Sequence, residues 1–358
     1  MATKDAKGGH LSAYVGSYTT RERKARGDGI HVYSVDAKNG QWAHVQHIGN
    51  ETNPSFFRVN HAGTRLYSVH GDLDYVSAFA IEPGTGRLSS LGRTASGGKN
   101  GVSLAVDPDD RHVIVANYQS SNLAVLPIAP DGSLRDPSQV VVVDGKPSPI
   151  RRVGHQEHAH PHDVAFDPSG RYVLAVDKGC DGISVYRFEN GLLQAHRLVQ
   201  TRGGAGPRHI AFDPSGEWAW VCNELDSSVT AYRWDAGNGS LIPVDMAWTV
   251  PPDFVGESTT AEIVFHPGTR TLYVSNRGHD SVAMFRVAQN GSLTAIGQQR
   301  SAGKTPRFIA IDPAGRLLYV ANEDSDSIVS FSIDPGDGRL SPTGAAIANG
   351  SPVTIVFA

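Results

Sequence analysis

The sequence predicts an all-β protein: a seven-bladed β-propeller with four antiparallel strands in each blade, closed by pairing of its N- and C-terminal strands. Two observations lead to this prediction. The 358 residues include 39 glycines and 21 prolines, a composition typical of many short strands and tight turns. A strand–turn–strand motif also recurs along the chain, as it does in repeat architectures.

The repeat is clearest where an Asp-Pro-x-Gly turn joins two apolar runs. Proline presets the backbone of such a turn, and glycine accepts positive φ. The strongest copies span residues 164–177, 210–223 and 309–322, and weaker copies span 57–70, 104–117 and 263–276. The equivalent turn positions are His61, Pro108, Pro168, Pro214, Pro267 and Pro313. Each unit is therefore expected to begin with two adjacent antiparallel strands.

Period-two patterning predicts the other two strands of each unit. Residues 327–333 alternate in polarity and precede a glycine-rich turn, after which an outer strand is expected. Six such units occupy residues 53 to about 350, and residues 11–18 and 29–35 supply most of a seventh. Residues 351–358 supply its missing innermost strand. This arrangement closes the ring without exposed sheet edges, whereas a linear solenoid would need atypical capping repeats.

Domain organisation and location follow from the same pattern. A disordered tail at residues 1–10 is expected before a single domain at 11–358, with insertions at 135–160 and 250–258 and a solvated charged loop at 20–27. The net charge of -4 gives no general attraction to nucleic acid or membranes. No signal-peptide core and no run of about 18 apolar residues occurs, so a cytoplasmic location is expected. Cys180 and Cys222 are expected to be free thiols. No pattern indicates the oligomeric state.

The repeat also predicts which side chains meet at the central channel. In a propeller the first strand of each blade lines the channel and runs antiparallel to the second, so the start of one and the end of the other share a rim. Six residues before the turn position stand His162, Arg208 and Arg307, with Glu262 one residue later in its unit. The ends of the second strands carry Asn117-Tyr118, Asp177-Lys178, Asn223-Glu224, Asn276-Arg277 and Asn322-Glu323.

The recurrent asparagines and their variable neighbours support different interpretations. Recurrence at Asn117, Asn276 and Asn322 favours a turn role, in which the amide bonds nearby backbone. The charged neighbours change from blade to blade within a fixed frame, which is typical of a functional site. The alternative is a set of salt bridges from Arg208 and Arg277 that only neutralises the channel.

The segment 155–162 is rich in histidine. If it were extended, His158, His160 and His162 would share a face and could bind zinc together with Glu157. Pro161 interrupts the strand, however, and histidines in a polar channel also serve as hydrogen-bonding or acid–base groups. We therefore expect neither a metal nor a cofactor. The sequence has no glycine-rich phosphate loop and no serine nucleophile elbow.

Eight motifs carry a resemblance to a known family, and they lie at 14–19, 116–118, 160–162, 206–212, 223–225, 261–263, 275–278 and 306–307. Over essentially its whole length the chain resembles the cytosolic lactonases typified by bacterial 6-phosphogluconolactonase of the propeller type. The resemblance extends to fungal carboxy-cis,cis-muconate cyclase, which shares the fold and whose site is similarly formed by a histidine, arginines and a glutamate. The insertion at 135–160 and the extra histidines His155 and His158 depart from the simplest pattern.

The resemblance implies hydrolysis of a sugar lactone that bears a phosphate or a carboxylate. Arginine suits such anions because its planar fork donates two hydrogen bonds at once. Either Glu224 or His162 would activate water, while Arg208 and Arg277 would stabilise the oxyanion or hold the substrate anion. The further substrate-binding candidates are Tyr118, His160, Lys178, Glu262, Asn276, Arg307 and Glu323.

Two other functions remain open from the sequence. A muconate-type cycloisomerase would close a lactone and use the same arginines on a carboxylate. A non-enzymatic scaffold propeller is also possible, since the motif at 318–324 resembles surface-layer propellers. Those proteins normally carry an export signal, and a scaffold would be expected to keep a bland channel.

Overall fold

The Asp-Pro-x-Gly turns form hairpins in which one aspartate holds the following strand. Oδ1 of Asp167 accepts a hydrogen bond from the Tyr172 amide at 2.9 Å, and its carbonyl accepts one from the Gly170 amide at 2.8 Å. Gly170 has φ 71°, and the equivalent Gly216 and Gly315 have φ 75° and 69°. Glycine adopts this left-handed conformation without steric cost, so the repeated motif fixes a hairpin in each unit.

The computed structural model describes residues 11–358 and shows these hairpins extended into seven four-stranded antiparallel blades. Blade 1 combines β28 with β1–β3, and blades 2 to 7 each take four consecutive strands from β4 onward. A short 3₁₀ helix spans Glu323–Ser325. The predicted tail at 1–10 lies outside the described residues. The strands are β1 (Leu11–Ser17), β2 (Ile30–Val35), β3 (Trp42–Ile48), β4 (Pro54–Val59), β5 (Arg65–His70), β6 (Tyr75–Ile81), β7 (Leu88–Ala95), β8 (Gly101–Val106), β9 (His112–Asn117), β10 (Asn122–Pro127), β11 (Gln139–Val142), β12 (Pro161–Phe166), β13 (Tyr172–Asp177), β14 (Gly182–Glu189), β15 (Leu192–Gln200), β16 (Pro207–Phe212), β17 (Trp218–Asn223), β18 (Ser228–Asp235), β19 (Ser240–Trp248), β20 (Thr259–His266), β21 (Thr271–Arg277), β22 (Ser281–Val287), β23 (Leu293–Arg300), β24 (Pro306–Ile311), β25 (Leu317–Asn322), β26 (Ser327–Ile333), β27 (Leu340–Ala348) and β28 (Pro352–Phe357).

The ring closes as the sequence predicts. Inner strands of neighbouring blades contact one another in the cyclic order β28, β4, β8, β12, β16, β20, β24. The C-terminal strand β28 pairs antiparallel with β1, and Ser12 and Ala358 exchange two backbone hydrogen bonds of 2.8 and 3.0 Å. The predicted seven-bladed propeller is therefore confirmed, including the blade shared by both ends of the chain.

Apolar side chains fill the spaces between blades, and buried tyrosines add a directional link. Each of these tyrosines lies on the second strand of a blade and donates its hydroxyl to a glycine carbonyl in the outer turn of the next blade. The same kind of hydrogen bond also joins blade 7 to blade 1. The pairs are Tyr14 and Gly86 (2.9 Å), Tyr67 and Gly132 (3.1 Å), Tyr273 and Gly338 (2.6 Å), and Tyr319 and Gly40 (3.3 Å).

Two predicted loops differ from expectation. The insertion at 135–160 includes an outer strand, β11, because residues 139–142 pair with β10. The charged loop at 20–27 is not simply solvated, since Arg23 and Arg26 each form an ion pair of 2.6 Å, with Asp72 and Asp326. The loop leaves blade 1 beside blades 2 and 7, whose loops supply these carboxylates.

Cys180 and Cys222 are both buried and free, as expected. The only helix within residues 11–358 is the three-residue 3₁₀ turn, which is far too short to cross a membrane.

Candidate active site

A backbone irregularity at the start of the inner strands aims side chains into the channel. The register between first and second strands shifts between Pro161 and Asp163, and again between Pro207 and His209. The residues in between are His162 and Arg208. Bulges of this kind redirect side chains and are common beside active sites. Arg307 occupies the same position in blade 7.

Glu224 lies at the centre of a buried ion cluster. Its Oε1 accepts a hydrogen bond from Lys178 Nζ at 2.8 Å. Its Oε2 lies 3.0 Å from Arg208 Nε and 3.3 Å from an Arg277 terminal nitrogen. The three cations come from the ends of β13 and β21 and the start of β16, as the common rim predicts. One carboxylate thus faces three positive charges.

The cluster sets the protonation of its members. Burial alone would raise the pKa of Glu224, but Arg277, Lys178 and Arg208 together hold it well below its usual value of 4.5. Burial lowers the pKa of Arg277 to about 10 against the opposing effect of Glu224, which leaves the guanidinium charged at neutral pH. The cluster of one carboxylate and three cations therefore gives this end of the channel, its mouth, a net charge of about +2.

His162 stands beside these charges as a neutral imidazole. Burial, followed by the charge of Arg208, lowers its pKa well below 6.5. Its ring packs edge-on against Tyr118 at 5.6 Å and lies 5.2 Å from the ring of His209. Within residues 11–358 its buried Nδ1 has no hydrogen-bond partner. A neutral ring nitrogen with no partner is suited to accept a proton.

Two buried arginine donors share this lack of partners. Nε of Arg208 and Nε of Arg277 have no well-aligned acceptor among the described residues, although both side chains use other nitrogens. Arg208 donates from a terminal nitrogen to the Ala261 carbonyl, and Arg277 donates to the Thr260 carbonyl at 2.8 Å. Buried donors are nearly always paired in proteins. Arg208 Nε already lies 3.0 Å from Glu224 Oε2, so among the described residues the unmet donor is Nε of Arg277.

Aromatic rings form one wall of the mouth. His160 stacks on Tyr118 with ring centres 4.2 Å apart and planes 9° apart. The His160 Nδ1 and the Tyr118 carbonyl are hydrogen-bonded at 3.0 Å. Lys178 Nζ lies 5.6 Å from the centre of the Tyr118 ring. Tyr118, His160 and Lys178 therefore form one contiguous surface with His162.

Arg307 and Glu323 form a second charged pair at 3.6 Å on the blade 7 side. Arg307 also donates to the hydroxyl of Tyr18 at 2.8 Å. The Tyr18 ring has the Arg307 guanidinium 5.0 Å from its centre and that of Arg23 at 4.1 Å. The charges of Arg307 and Glu323 cancel, so the net positive charge of the mouth comes from the three cations around Glu224.

Glu262 lies one layer deeper than the rim. Its Oε1 is 2.9 Å from His209 Nδ1, and Ala261 occupies the rim position instead. Successive side chains of a strand point in different directions, so the one-residue offset seen in the sequence removes Glu262 from the cluster around Glu224. A neighbouring carboxylate, Asp163, accepts from the Ser103 hydroxyl at 2.6 Å and from the Ile210 amide at 3.0 Å. This layer links the inner strands beneath the site.

Asn276 is not presented to the mouth. Its amide nitrogen donates to the Thr249 carbonyl at 3.0 Å, and its oxygen accepts from the Thr249 hydroxyl at 2.6 Å. Asn117 and Asn322 make the same kind of bond, to the carbonyls of Ser96 and Ser301. The recurrent asparagines thus hydrogen-bond the backbone just after the outer strand of the preceding blade. This is the structural role that their recurrence in the sequence favours.

Comparison with known proteins agrees with this architecture. The chain matches the family described as lactonase, 7-bladed beta-propeller, over residues 12–357. It belongs to this lactonase family. A 6-phosphogluconolactonase of Bacillus subtilis is 32% identical to this lactonase over 347 residues, covering 96% of the chain and 97% of the relative. One of Formosa agariphila is 31% identical over 314 residues, covering 84% and 86%.

A solved structure gives the same result. The periplasmic gluconolactonase of Pseudomonas aeruginosa superposes on this lactonase with a TM-score of 0.89 at 29% identity, covering 97% of this chain and 99% of that one. Family membership makes the protein an enzyme of the lactonase type and not a scaffold.

Tyr18 also borders the candidate site through its contact with Arg307, and it is not among the residues predicted from the sequence. A signal was present, because Tyr18 follows the second strand of blade 1 just as Tyr118 follows that of blade 3.

The histidine-rich segment does not form a metal site within the described chain. The ring nitrogens of His158, His160 and His162 do not all lie close enough together to bind one metal ion. The His158 and His160 rings lie 4.1 Å apart, while His162 turns towards His209.

Proposed function

We propose that this lactonase opens sugar lactones bearing a phosphate or a carboxylate, and that it does so at the mouth formed by His162, Arg208, Glu224 and Arg277. The observation that carries the proposal is the single carboxylate of Glu224 among three cations. An excess of positive charge in a buried, low-dielectric site attracts an anionic ligand. The two relatives named 6-phosphogluconolactonase fit a phosphorylated substrate.

In the proposed reaction a water molecule attacks the lactone carbonyl and loses a proton to the neutral imidazole of His162. The neutral state of that ring and its lack of a partner among the described residues support this role. Glu224 is less suited to accept a proton, because both of its oxygens already face cations. Its proposed role is to hold Lys178, Arg208 and Arg277 together.

The developing oxyanion would accept hydrogen bonds from the guanidinium group of Arg208 or Arg277. Preorganised donors of this kind stabilise the transition state more than the ground state. Collapse of the tetrahedral intermediate breaks the bond to the ring oxygen, which receives the proton carried by His162. Water and lactone thereby give one open-chain hydroxy acid, with no other reactant.

The test is a panel of lactones assayed by proton release at constant pH, with spontaneous opening subtracted. The panel contains 6-phosphogluconolactone, an acidic aldonolactone and neutral gluconolactone. We expect kcat/KM for an anionic member to exceed that for the neutral one by at least about tenfold, since one lost charged hydrogen bond costs at least ~1.4 kcal/mol. Equal rates on all members would contradict the selection for anions, and no rate on any would contradict the proposed substrate class.

A separate assay uses a carboxymuconate, whose cyclisation to a lactone would indicate a cycloisomerase in place of a hydrolase. A cytoplasmic role in carbohydrate metabolism also belongs to the proposal. Fractionation of the source cells tests it, because the Pseudomonas relative is named as periplasmic.

A further inference from the structure

A second cluster of chemically active side chains lies on blade 1, outside the ring of inner strands. His31 on β2 and His47 on β3 stand directly opposite each other in the strand ladder. Their rings are parallel within 15° with centres 4.6 Å apart. Asp28 precedes β2 and reaches the same face. None of these residues takes part in the site described above.

The three side chains point their ligand atoms at one place. Nε2 of His31 lies 2.7 Å from Asp28 Oδ1, and Nε2 of His47 lies 3.2 Å from Asp28 Oδ2. All three ligand atoms fall within 4.8 Å of one another. A tetrahedral zinc ion bound at ~2.0–2.1 Å keeps its ligands about 3.3 Å apart and lies in the plane of each imidazole that binds it, so at least one of the two stacked rings would turn about its Cβ–Cγ bond when the ion binds.

A third histidine, His44, is hydrogen-bonded to the ring of His31. Nε2 of His44 lies 3.1 Å from Nδ1 of His31, the ring nitrogen that faces away from Asp28. Histidines that bind metals usually use their second nitrogen for such a hydrogen bond, which fixes the tautomer and orientation of the ring. The arrangement therefore has both the direct ligands and the outer support of a metal site.

We propose that Asp28, His31 and His47 bind a divalent transition-metal ion of the zinc type, with His44 as the supporting residue. Two imidazoles and one carboxylate match the ligand preference of zinc, copper and nickel. The side chains of His47 and Asp28 are 39% and 59% exposed, so the ion can enter from solvent and keep water in its remaining positions. Bound metal would tie the loop before β2 to both strands of the closing blade.

The competing explanation is that Asp28, His31 and His47 are held together by hydrogen bonds alone, without a metal ion. Asp28 can accept from both imidazoles, and His47 Nε2 also lies 3.0 Å from the Asp28 backbone carbonyl. The two explanations differ in whether the cluster binds a metal ion at all. This proposal is independent of the proposed lactone chemistry.

Calorimetric titration of the metal-stripped full-length protein with zinc chloride tests the proposal. We expect one equivalent to bind and cobalt to give the visible absorption of a low-coordinate site. His44→Gln should raise Kd by roughly 10–100-fold, the usual effect of removing an outer hydrogen bond, and His31→Gln, His47→Gln and Asp28→Asn should raise it further. Lactonase activity should stay unchanged in all four variants.

Two matched controls locate the ion. His196→Gln changes a half-buried outer-strand histidine whose one side-chain hydrogen bond among the described residues is to the Asn238 carbonyl, and it should leave zinc binding intact. His158→Gln tests the histidine-rich segment and should also leave it intact. Absence of stoichiometric binding by the parent protein would establish the hydrogen-bonded cluster without metal. Undiminished binding by His31→Gln and Asp28→Asn would place the ion elsewhere, and either result would overturn the proposal.

Discussion

Lys178 and Glu224 join two blades through a single hydrogen bond of 2.8 Å between Nζ and Oε1. Lys178 follows the second strand of blade 4 and Glu224 follows that of blade 5. Arg277, from blade 6, lies 3.3 Å from the same carboxylate. Glu224 is therefore both part of the candidate site and a fastening between three blades.

Glu224→Gln should reduce both stability and activity. Glutamine keeps the shape of the side chain but leaves Lys178, Arg208 and Arg277 without their common anion. Breaking a buried charge pair costs about 3–5 kcal/mol, because the remaining charges stay buried without compensation. Denaturant unfolding measures this change. Asp324→Asn, at an exposed carboxylate 3.8 Å from Arg26, is the control and should leave the unfolding free energy nearly unchanged.

The stabilising effect of Glu224 should disappear in acid. Its pKa in the folded protein lies well below 4.5, so the ionised form is favoured by folding. The contribution is fully present above the unfolded pKa and is lost as pH falls through the folded pKa. The difference in unfolding free energy between the parent protein and Glu224→Gln should therefore be constant near neutrality and shrink below about pH 4.5. A difference that grew in acid would contradict this assignment.

The pH dependence of catalysis should have its acid limb well below neutrality. A free histidine would place the limb near 6.5, but burial and Arg208 lower the pKa of His162. Since the pKa of Glu224 is lowered too, the limb alone does not separate the two residues. Glu224→Gln does, because Glu224 raises the pKa of His162. If His162 is the base, residual activity in Glu224→Gln should keep an acid limb displaced to lower pH, while His162→Asn should lose it. A limb unchanged in His162→Asn would exclude the imidazole.

Much of the architecture could be predicted from local chemistry. The Asp-Pro-x-Gly turns mark hairpins wherever they occur, and the apolar C-terminal strand is a natural partner for a blade that lacks one. The insertion at 135–160 was harder to interpret, because the short strand β11 (Gln139–Val142) has no motif of its own and depends on pairing with β10.

The site could be predicted only as far as strand geometry repeats. Counting from the turn brings Lys178, Arg208, Glu224 and Arg277 together. It also predicts Glu262 at the rim, although Glu262 stands one residue past the rim position and its side chain therefore points to a deeper layer. The cluster of Asp28, His31 and His47 was missed for a different reason. Its members come together only when β2 and β3 pair in one register, which no spacing in the sequence specifies.

Removal of the C-terminal strand should open the ring. Deleting residues 352–358 takes away β28, which pairs with β1 and contacts the inner strands β4 and β24. Unpaired strand edges also promote association between molecules. We expect a large fall in melting temperature together with aggregation, measured by circular dichroism and light scattering. Val255→Ala, at an exposed residue away from the paired ends, is the control and should melt unchanged, and a truncation of 352–358 that melts unchanged would contradict closure by β28 and β1.

The central claim is that the charged channel mouth is where lactones are opened. It is tested most directly by kcat/KM of Arg208→Met and Arg277→Met on the best substrate of the panel, beside Arg111→Met, whose side chain is 73% exposed and pairs with Asp109. We expect the two mouth variants to lose roughly 2–5 kcal/mol of transition-state stabilisation and Arg111→Met to lose none. Full activity in both mouth variants, on every lactone that the parent protein opens, would contradict the claim.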